Sequence, residues 1–233
     1  WGTSFAWGEG GRDLVNLQIA DLSVGVLWVL MASSFTVYGL SFGGWASNNK
    51  WSLLGGVRAS AQMISYEVAL GLAVVAVIMT AGSVRMSDIV ARQAECGLFG
   101  WNLFHQPLAF LIFFTAAFAE TNRLPFDFPE AEAELVAGYH TEYSSMRFAL
   151  FFLGEHLAVT AMSALTVTLF LGGWHFPGMN VGDHGLVTVL LSVGAFSIKT
   201  FLVITVFVWV RWTLPRFRYD QLMGLGWKTL IPL

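Results

Sequence analysis

The sequence has very little charge. Of its 233 residues, 12% are charged and 56% are hydrophobic, and the formal net charge is −3. An ordinary soluble domain carries roughly 25% charged residues, so this composition excludes that class, and its apolar content also excludes a disordered chain. The slight acidic excess gives no basic field for phosphates, and we therefore predict no nucleic-acid partner.

Cysteine is also scarce. The single Cys96 excludes a disulfide framework or a thiolate metal cluster within the chain. No glycine-rich nucleotide loop follows a predicted strand, and the histidines have no metal-ligand spacing with acidic residues. We predict no metal site, no catalytic residue set and no cofactor bound by this chain alone. The histidines are His105, His140, His156, His175 and His184.

Long apolar segments are abundant instead. A helix that crosses about 30 Å of hydrocarbon needs about 20 mostly apolar residues. The sequence therefore predicts an all-α, polytopic helical membrane protein, with residues 1–233 forming a single transmembrane domain in the lipid bilayer. The predicted spans are residues 20–46, 56–80, 103–121, 147–173 and 186–212, and residues 227–233 resemble the start of another helix.

The basic residues predict the orientation, because lysine and arginine accumulate in cytoplasmic loops. Eight of them fall on the side of the C-terminal segment and three on the other side, and Lys199 falls inside the last span. We therefore place the C-terminal segment and the loops 47–55 and 122–146 in the cytoplasm. The eight are Lys50, Arg58, Arg123, Arg147, Arg211, Arg216, Arg218 and Lys228, and the three are Arg12, Arg85 and Arg92.

Three carboxylates lie within predicted spans: Glu67, Glu120 and Glu155. Glu67 is about 16 Å into its helix, Glu155 about 12 Å, and Glu120 is near the cytoplasmic end of its span. Each could simply bind a polar group across helices. Three carboxylates at graded depth favour a proton path, because intramembrane ionisable residues often form proton relays. Four further polar residues within the spans support it: Tyr66, Arg58, His156 and Lys199.

Three further polar residues share the helix of Glu67. Arg58, Gln62 and Ser65 follow a spacing of four and then three residues, so they lie on one face. Glu67 is nine residues beyond Arg58, which places it almost on the opposite face of a straight helix. We therefore expect Arg58 and Glu67 to have different surroundings, and the spacing alone does not predict an ion pair between them.

The 122–147 segment is both acidic and apolar. Asp127 is a good N-cap for a helix that Gly138 would end, and acids in a first turn complement the helix dipole. The segment also has several apolar residues, which favour a protein interface or a ligand cavity at the cytoplasmic end of the proposed proton path. The apolar residues are Phe126, Phe128, Leu135, Val136 and Tyr139. The acids are Asp127, Glu130, Glu132, Glu134 and Glu142, against Arg123 and Arg147.

Four stretches carry a resemblance to a known family. They are residues 44–50 (GWASNNK), 58–68 (RASAQMISYEV), 119–143 (AETNRLPFDFPEAEAELVAGYHTEY) and 215–223 (PRFRYDQLM). In this order they resemble the H subunit family of proton-pumping NADH:quinone oxidoreductase, respiratory complex I. The family has eight transmembrane helices, and the five predicted spans resemble its third to seventh. The first two, with a basic Gly-Pro-Asn-Arg loop that belongs to the quinone cavity, have no counterpart here.

The resemblance implies a function. In this family the cytoplasmic loops and peripheral-arm partner subunits enclose the quinone chamber, while neighbouring membrane-arm subunits complete the pump. The substrate is a quinone, ubiquinone or menaquinone, and the iron–sulfur clusters and FMN belong to partner subunits. Glu67, Glu120 and Glu155 match the family's acid file, and the loop acids Asp127, Glu130, Glu132 and Glu134 match the chamber. Arg123 and Glu142 fall within the same motif.

Three alternatives stay open on sequence alone. One is the equivalent subunit of a related hydrogenase or ferredoxin-type complex, against which the Glu-Thr-Asn-Arg stretch at 120–123 argues. Another is a stand-alone ion channel or transporter, and the third is a membrane anchor with structural acids. The expected location is the bacterial inner membrane, with the mitochondrial inner membrane as the alternative.

Overall fold

The structure is a computed structural model that describes residues 4–7, 13–16, 22–95, 97–128, 138–176 and 186–233. Its first elements are two short strands, β1 (Ser4–Trp7) and β2 (Asp13–Asn16), which pair antiparallel with Ser4 opposite Asn16. The sequence analysis did not predict this hairpin. Because everything else that is regular in the described residues is helical, the all-α class holds apart from the hairpin.

Within the described residues, four long helices are apolar enough to cross a membrane, which confirms a polytopic membrane fold. They are α1 (Gly25–Ala46), α2 (Lys50–Ala81), α6 (Ser145–Phe170) and α7 (Leu186–Thr213). Between α2 and α6 lie α3 (Met86–Glu95), α4 (Asn102–His105) and α5 (Pro107–Glu120). After α7 come α8 (Tyr219–Gly224) and a π-helical turn (Leu225–Leu230), in the segment expected to begin another helix.

The third predicted span, residues 103–121, is wrong as an uninterrupted helix. The chain breaks at Gln106, because Pro107 has no N–H to donate and disfavours helical backbone at the residue before it. The resulting α5 has 14 residues, about 21 Å of helix, which is short of the hydrocarbon thickness. α5 still runs antiparallel to α2, since Gln106 bonds Ala76 at one end and Gln62 bonds Ala119 at the other.

Helix α2 is longer than predicted. It begins at Lys50 instead of residue 56 because the Asn49 side chain accepts a hydrogen bond from the Trp51 N–H and caps its first turn. Its 32 residues extend about 48 Å, so it passes beyond the hydrocarbon layer. Most of the predicted 47–55 loop is therefore the first two turns of this helix.

The core forms around α2. At the crossing of α1 and α2, a Cβ on Gly44 would lie 2.6 Å from the Ser52 carbonyl oxygen, so this close approach requires glycine. Aromatic rings join α5 to α7, with Phe118 and Phe207 stacked at 4.1 Å between ring centroids. Such small-residue contacts and ring packing hold helices together where no hydrophobic effect acts between them.

Three segments predicted to be cytoplasmic meet at one end of the bundle. The Asn49 side chain donates to Glu142 at 2.7 Å, and the Phe217 N–H donates to the Pro125 carbonyl at 3.3 Å. The first contact joins the start of α2 to the segment before α6, and the second joins the 121–128 turn after α5 to the chain after α7. The grouping of segments agrees with the orientation that the basic residues predict.

Candidate functional site

The chain turns sharply where α5 ends, and this turn is tied to α2. Asn122 has φ 50°, a left-handed conformation that asparagine tolerates and that ends the helix. Gln62 is fully buried, and its side-chain N–H₂ donates to the carbonyls of Ala119 and Phe126, both at 2.9 Å. These two bonds hold the beginning and the end of the turn against one residue of α2.

Arg123, in the middle of this turn, forms an ion pair with Glu155 of α6. Its Nη2 lies 3.1 Å from Glu155 Oε2, and the two side chains are 10% and 11% exposed. The other carboxylate oxygen accepts a hydrogen bond from the Tyr139 hydroxyl at 2.8 Å. His156 Nδ1 also lies 3.1 Å from Arg123 Nη2, and the Phe152 ring lies under the guanidinium. Arg123 therefore links the 121–128 turn electrostatically to α6.

The backbone of α2 positions Tyr139. A Cβ on Gly55 would lie 2.8 Å from the Tyr139 nitrogen, so the chain at Gly138 and Tyr139 rests directly on the helix backbone. The Ser52 hydroxyl lies 3.1 Å from the Tyr139 carbonyl oxygen and can donate to it. Since the tyrosine ring is also buried, its hydroxyl is fixed in place as a donor to Glu155.

A cavity of about 150 Å³ connects these groups to Glu120. Glu120, Tyr139 and Glu155 all line it, with Thr36 of α1 and Asn122 among the other lining residues. A water molecule occupies about 30 Å³ in the liquid, so the cavity has room for a few waters. Glu120 itself is buried. The two carboxyl groups, on α5 and α6, therefore face a common space in which water can bridge them.

A third carboxyl group, that of Glu67, lies beside α1. The Ser34 hydroxyl of α1 donates to Glu67 Oε1, and Glu67 is close enough to Glu120 for their charges to interact. The structure thus brings together four of the predicted site residues, Glu67, Glu120, Glu155 and Arg123. They lie among α1, α2, α5 and α6, and we call them the carboxyl cluster.

Two other predicted residues of α2 face away from the carboxyl cluster. The Tyr66 hydroxyl donates to the Leu222 carbonyl at 2.8 Å, and the Arg58 guanidinium lies over the Tyr219 ring at 5.8 Å. Both therefore face the segment around α8, whereas Glu67 faces α1. The separation of Arg58 from Glu67 follows the helical spacing that the sequence predicts.

Lys199 lies far from the carboxyl cluster. Its ammonium group donates to the carbonyls of Leu171, Gly173 and His175 at 2.7 to 3.1 Å, and it lies 4.8 Å from the centroid of the Trp101 ring. Leu171 follows the C-terminus of α6, 16 positions beyond Glu155 (171 minus 155), which corresponds to about 24 Å of helix. The position fits a cation that satisfies helix-terminal carbonyls.

Three aromatic residues of the 122–147 segment, Phe126, Phe128 and Tyr139, are buried within the chain. Phe126 stacks on Phe217 with ring centroids 5.7 Å apart, and Phe128 and Tyr139 are 0% and 1% exposed. These rings pack within the chain because the turn folds back onto α2 and α8. The protein interface or ligand cavity expected at this segment stays a prediction. Leu135 and Val136 lie outside the described residues.

The loop acids are only partly covered by the structure. Asp127 is partly buried, and Glu142 is exposed and accepts a hydrogen bond from Asn49. Glu130, Glu132 and Glu134, with the predicted helix that contains them, lie outside the described residues. No group of three or more metal-binding side chains occurs in the part of the chain that the structure describes.

Two members of the site were missed. Tyr139 was counted only among the apolar residues of the 122–147 segment, and Ser34 was not considered. The sequence does indicate Ser34, because it is a polar residue in the middle of an apolar span. It gives no indication of the role of Tyr139 beyond the residue type, because that role depends on where α6 crosses the 121–128 turn. His156 was counted among the polar residues within the spans, but its contact with Arg123 was not predicted.

The fold and the cluster define a polytopic helical membrane protein that holds carboxyl groups and an arginine between its spans. Comparison with known proteins specifies the family. The model of the NADH dehydrogenase family matches residues 4–233. The chain belongs to this family, within the group of NADH-quinone oxidoreductase H subunits, which confirms the resemblance carried by the four motifs.

Three similar relatives come from bacteria. The chain is 48% identical over 237 residues to an NADH-quinone oxidoreductase H subunit of Cytophaga hutchinsonii, with 100% of the chain and 68% of the relative aligned. It is 53% identical over 223 residues to an H subunit of Geobacter metallireducens, covering 96% and 63%. With the H subunit of Leptospira biflexa it shares 51% over 224 residues, covering 95% and 62%. The chain thus spans roughly two thirds of the length of these relatives.

Proposed function

We propose that this chain is a membrane subunit of a proton-pumping NADH:quinone oxidoreductase and that its carboxyl cluster couples quinone reduction to proton translocation. The relatives are named as H subunits of NADH-quinone oxidoreductase, which supports membership of that complex. The long apolar helices support a location in the membrane. We further propose the bacterial inner membrane as its location. Peripheral-arm subunits with iron–sulfur clusters and FMN would deliver electrons to the quinone, and neighbouring membrane-arm subunits would complete the pump.

One observation carries the proposal: Arg123 pairs with Glu155 from the same turn that leads into the acidic loop. The turn holds Arg123 at its centre and Asp127 near its end, only four residues apart. The position of the turn depends on two hydrogen bonds that its ends accept from Gln62 of α2. A displacement of the acidic loop would therefore move the nearby 121–128 turn, and with it the Arg123 guanidinium that neutralises Glu155.

The proposed mechanism follows from this connection. Reduction of quinone to quinol takes up protons and changes the charge beside the loop acids Asp127, Glu130, Glu132 and Glu134. That change moves the turn and weakens the pair between Arg123 and Glu155. A carboxylate that loses its cation inside a membrane protein is strongly disfavoured, so Glu155 takes up a proton. Water in the shared cavity would pass the proton to Glu120, and Glu67 would continue the path.

The same contacts are compatible with a purely structural role for the acids. Glu67 binds Ser34, and Glu155 binds Tyr139 and Arg123, as side chains that only hold helices together would do. A proton-transfer role and a structural role predict different effects when glutamate is replaced by a neutral isostere. Glutamine keeps the size and one carbonyl oxygen of glutamate, but it transfers no proton.

We expect Glu67→Gln to leave the complex assembled and Glu155→Gln to lower its amount in part, because Arg123 then keeps a buried charge without its carboxylate. In the complex that assembles, each variant is expected to lower quinone-linked proton translocation roughly tenfold or more. The reason is that a carboxyl group which transfers protons has no substitute in an amide. The measurement is the proton translocation rate and the quinone reductase rate of inverted membrane vesicles, with the amount of assembled complex determined by native gel.

Glu95→Gln is the matched control, because Glu95 is exposed on α3 outside the carboxyl cluster. Normal turnover and pumping in both cluster variants would refute the proton path. Reduced assembly with normal pumping per assembled complex would assign the acids a structural role.

A further inference from the structure

A second cavity lies on the other side of Arg123, between α6 and α7. Its volume is about 150 Å³. Two arginines, Arg123 and Arg211, line it together with His156 and Thr160. The remaining lining residues are apolar: Val159, Ile204, Phe207 and Val208. The cavity therefore combines two basic side chains with an apolar lining, a combination that the first cavity lacks.

Arg211 provides the charge that no described carboxylate neutralises. Arg123 has Glu155 beside it, but Arg211 forms no ion pair or hydrogen bond within the described ranges. Arg211 belongs to the last turn of α7, at the end of the bundle that carries most basic residues. An arginine at such a position extends its head toward the polar interface while its stem stays in the apolar region.

The surface beside the cavity is exposed and apolar. Leu157 of α6 is 59% exposed, and Phe201 and Val208 of α7 are 68% and 50% exposed. Both helices are long and apolar enough to span a membrane, so this surface contacts lipid chains or another membrane subunit. A basic pocket between transmembrane helices on the cytoplasmic side is typical of a binding site for an anionic lipid headgroup.

We propose that this cavity binds the phosphate of an anionic phospholipid, with the acyl chains lying along the apolar surface of α6 and α7. Arg211 contacts the phosphate directly and carries its recognition, because the Thr160 hydroxyl already donates to the His156 carbonyl and His156 Nδ1 already bonds the Phe152 carbonyl oxygen at 2.7 Å. The apolar wall favours a lipid over free inorganic phosphate, because an isolated ion gains nothing from Val159 and Val208. The proposal does not depend on any quinone or proton chemistry.

The test uses the assembled complex with the full-length subunit, delipidated and reconstituted in nanodiscs. Arg211→Gln is expected to lower retention of phosphatidylglycerol, counted by native mass spectrometry, about fivefold, since a basic residue at the interface contributes about that factor. Arg147→Gln is the matched control. Arg147 is exposed on the same side, at the start of α6, and does not line the cavity.

A second measurement needs no variant. A photoactivatable phosphatidylglycerol is expected to label residues 156–160 and 204–211 of the wild-type subunit, and excess inorganic phosphate is expected not to compete. Labelling only elsewhere, equal retention in Arg211→Gln and wild type, or equal losses in both variants would each overturn the proposal. Full competition by inorganic phosphate would identify a site for a free anion, and an absence of label would point to a cavity covered by another subunit. Both of these results would also overturn it.

Discussion

Replacing Arg123 with glutamine is expected to have the largest effect of any single change in the chain. Glu155 would keep its hydrogen bond from Tyr139 but lose its cation in a site where both side chains are about nine-tenths buried. Removing one partner of a buried ion pair destabilises a protein by about 3 kcal/mol or more. We expect a large loss of assembled complex, measured by native gel, and loss of quinone-linked proton pumping in what remains.

A double variant separates the structural effect from the coupling effect. Arg123→Gln combined with Glu155→Gln removes both charges and leaves no unpaired carboxylate, so assembly should recover toward the wild-type amount. Proton translocation should stay low, because neither the cation nor the carboxyl group is present. Recovery of pumping together with assembly would mean that the pair only fastens α6 to the 121–128 turn.

Gln62→Leu is expected to have the second largest effect. The leucine is similar in volume, but the buried carbonyls of Ala119 and Phe126 both lose a donor. Each carbonyl keeps a backbone donor, the Asn122 N–H for Ala119 and the Phe128 N–H for Phe126, so each lost hydrogen bond destabilises by about 0.5–1.5 kcal/mol. The 121–128 turn would loosen, and Arg123 would no longer be held opposite Glu155. We expect the quinone reductase rate to fall with the pumping rate, as measured in inverted vesicles.

The chain provides a matched control for this substitution. Gln106 also ties α5 to α2, by donating to the Ala76 carbonyl at 3.0 Å, but it does so at the opposite end of α5. Gln106→Leu should therefore lower thermal stability by a comparable amount per bond while leaving turnover per assembled complex close to wild type. Equal losses of turnover in both variants would show that Gln62 acts on stability alone.

The sequence predicts the spans well where the apolar run is uninterrupted. α1, α6 and α7 begin or end within a few residues of the predicted bounds, because continuous apolar segments dominate their composition. The prediction of a single third span was wrong because one Pro107 outweighs the surrounding apolar residues. The start of α2 was misplaced because the cap at Asn49 lies in a polar stretch that resembles a loop.

The candidate site was predictable in its charged members but not in their contacts. Glu67, Glu120 and Glu155 are identifiable because charge is rare in spans. The pairing of Arg123 with Glu155 joins residues 32 positions apart (155 minus 123), and it depends on the crossing of α6 over a turn that no local pattern specifies. The burial of Phe126 has the same cause, since the turn folds back onto α2 through Gln62.

The central claim is that the carboxyl cluster changes its protonation when quinone is reduced. Redox-induced infrared difference spectroscopy of the assembled complex measures this most directly, because a protonated carboxyl group has a carbonyl stretching band of its own. We predict a carboxyl band that appears on quinone reduction in the wild type and in Glu95→Gln, and that is lost or reduced in Glu120→Gln and Glu155→Gln. A band of full intensity in both cluster variants would contradict the account.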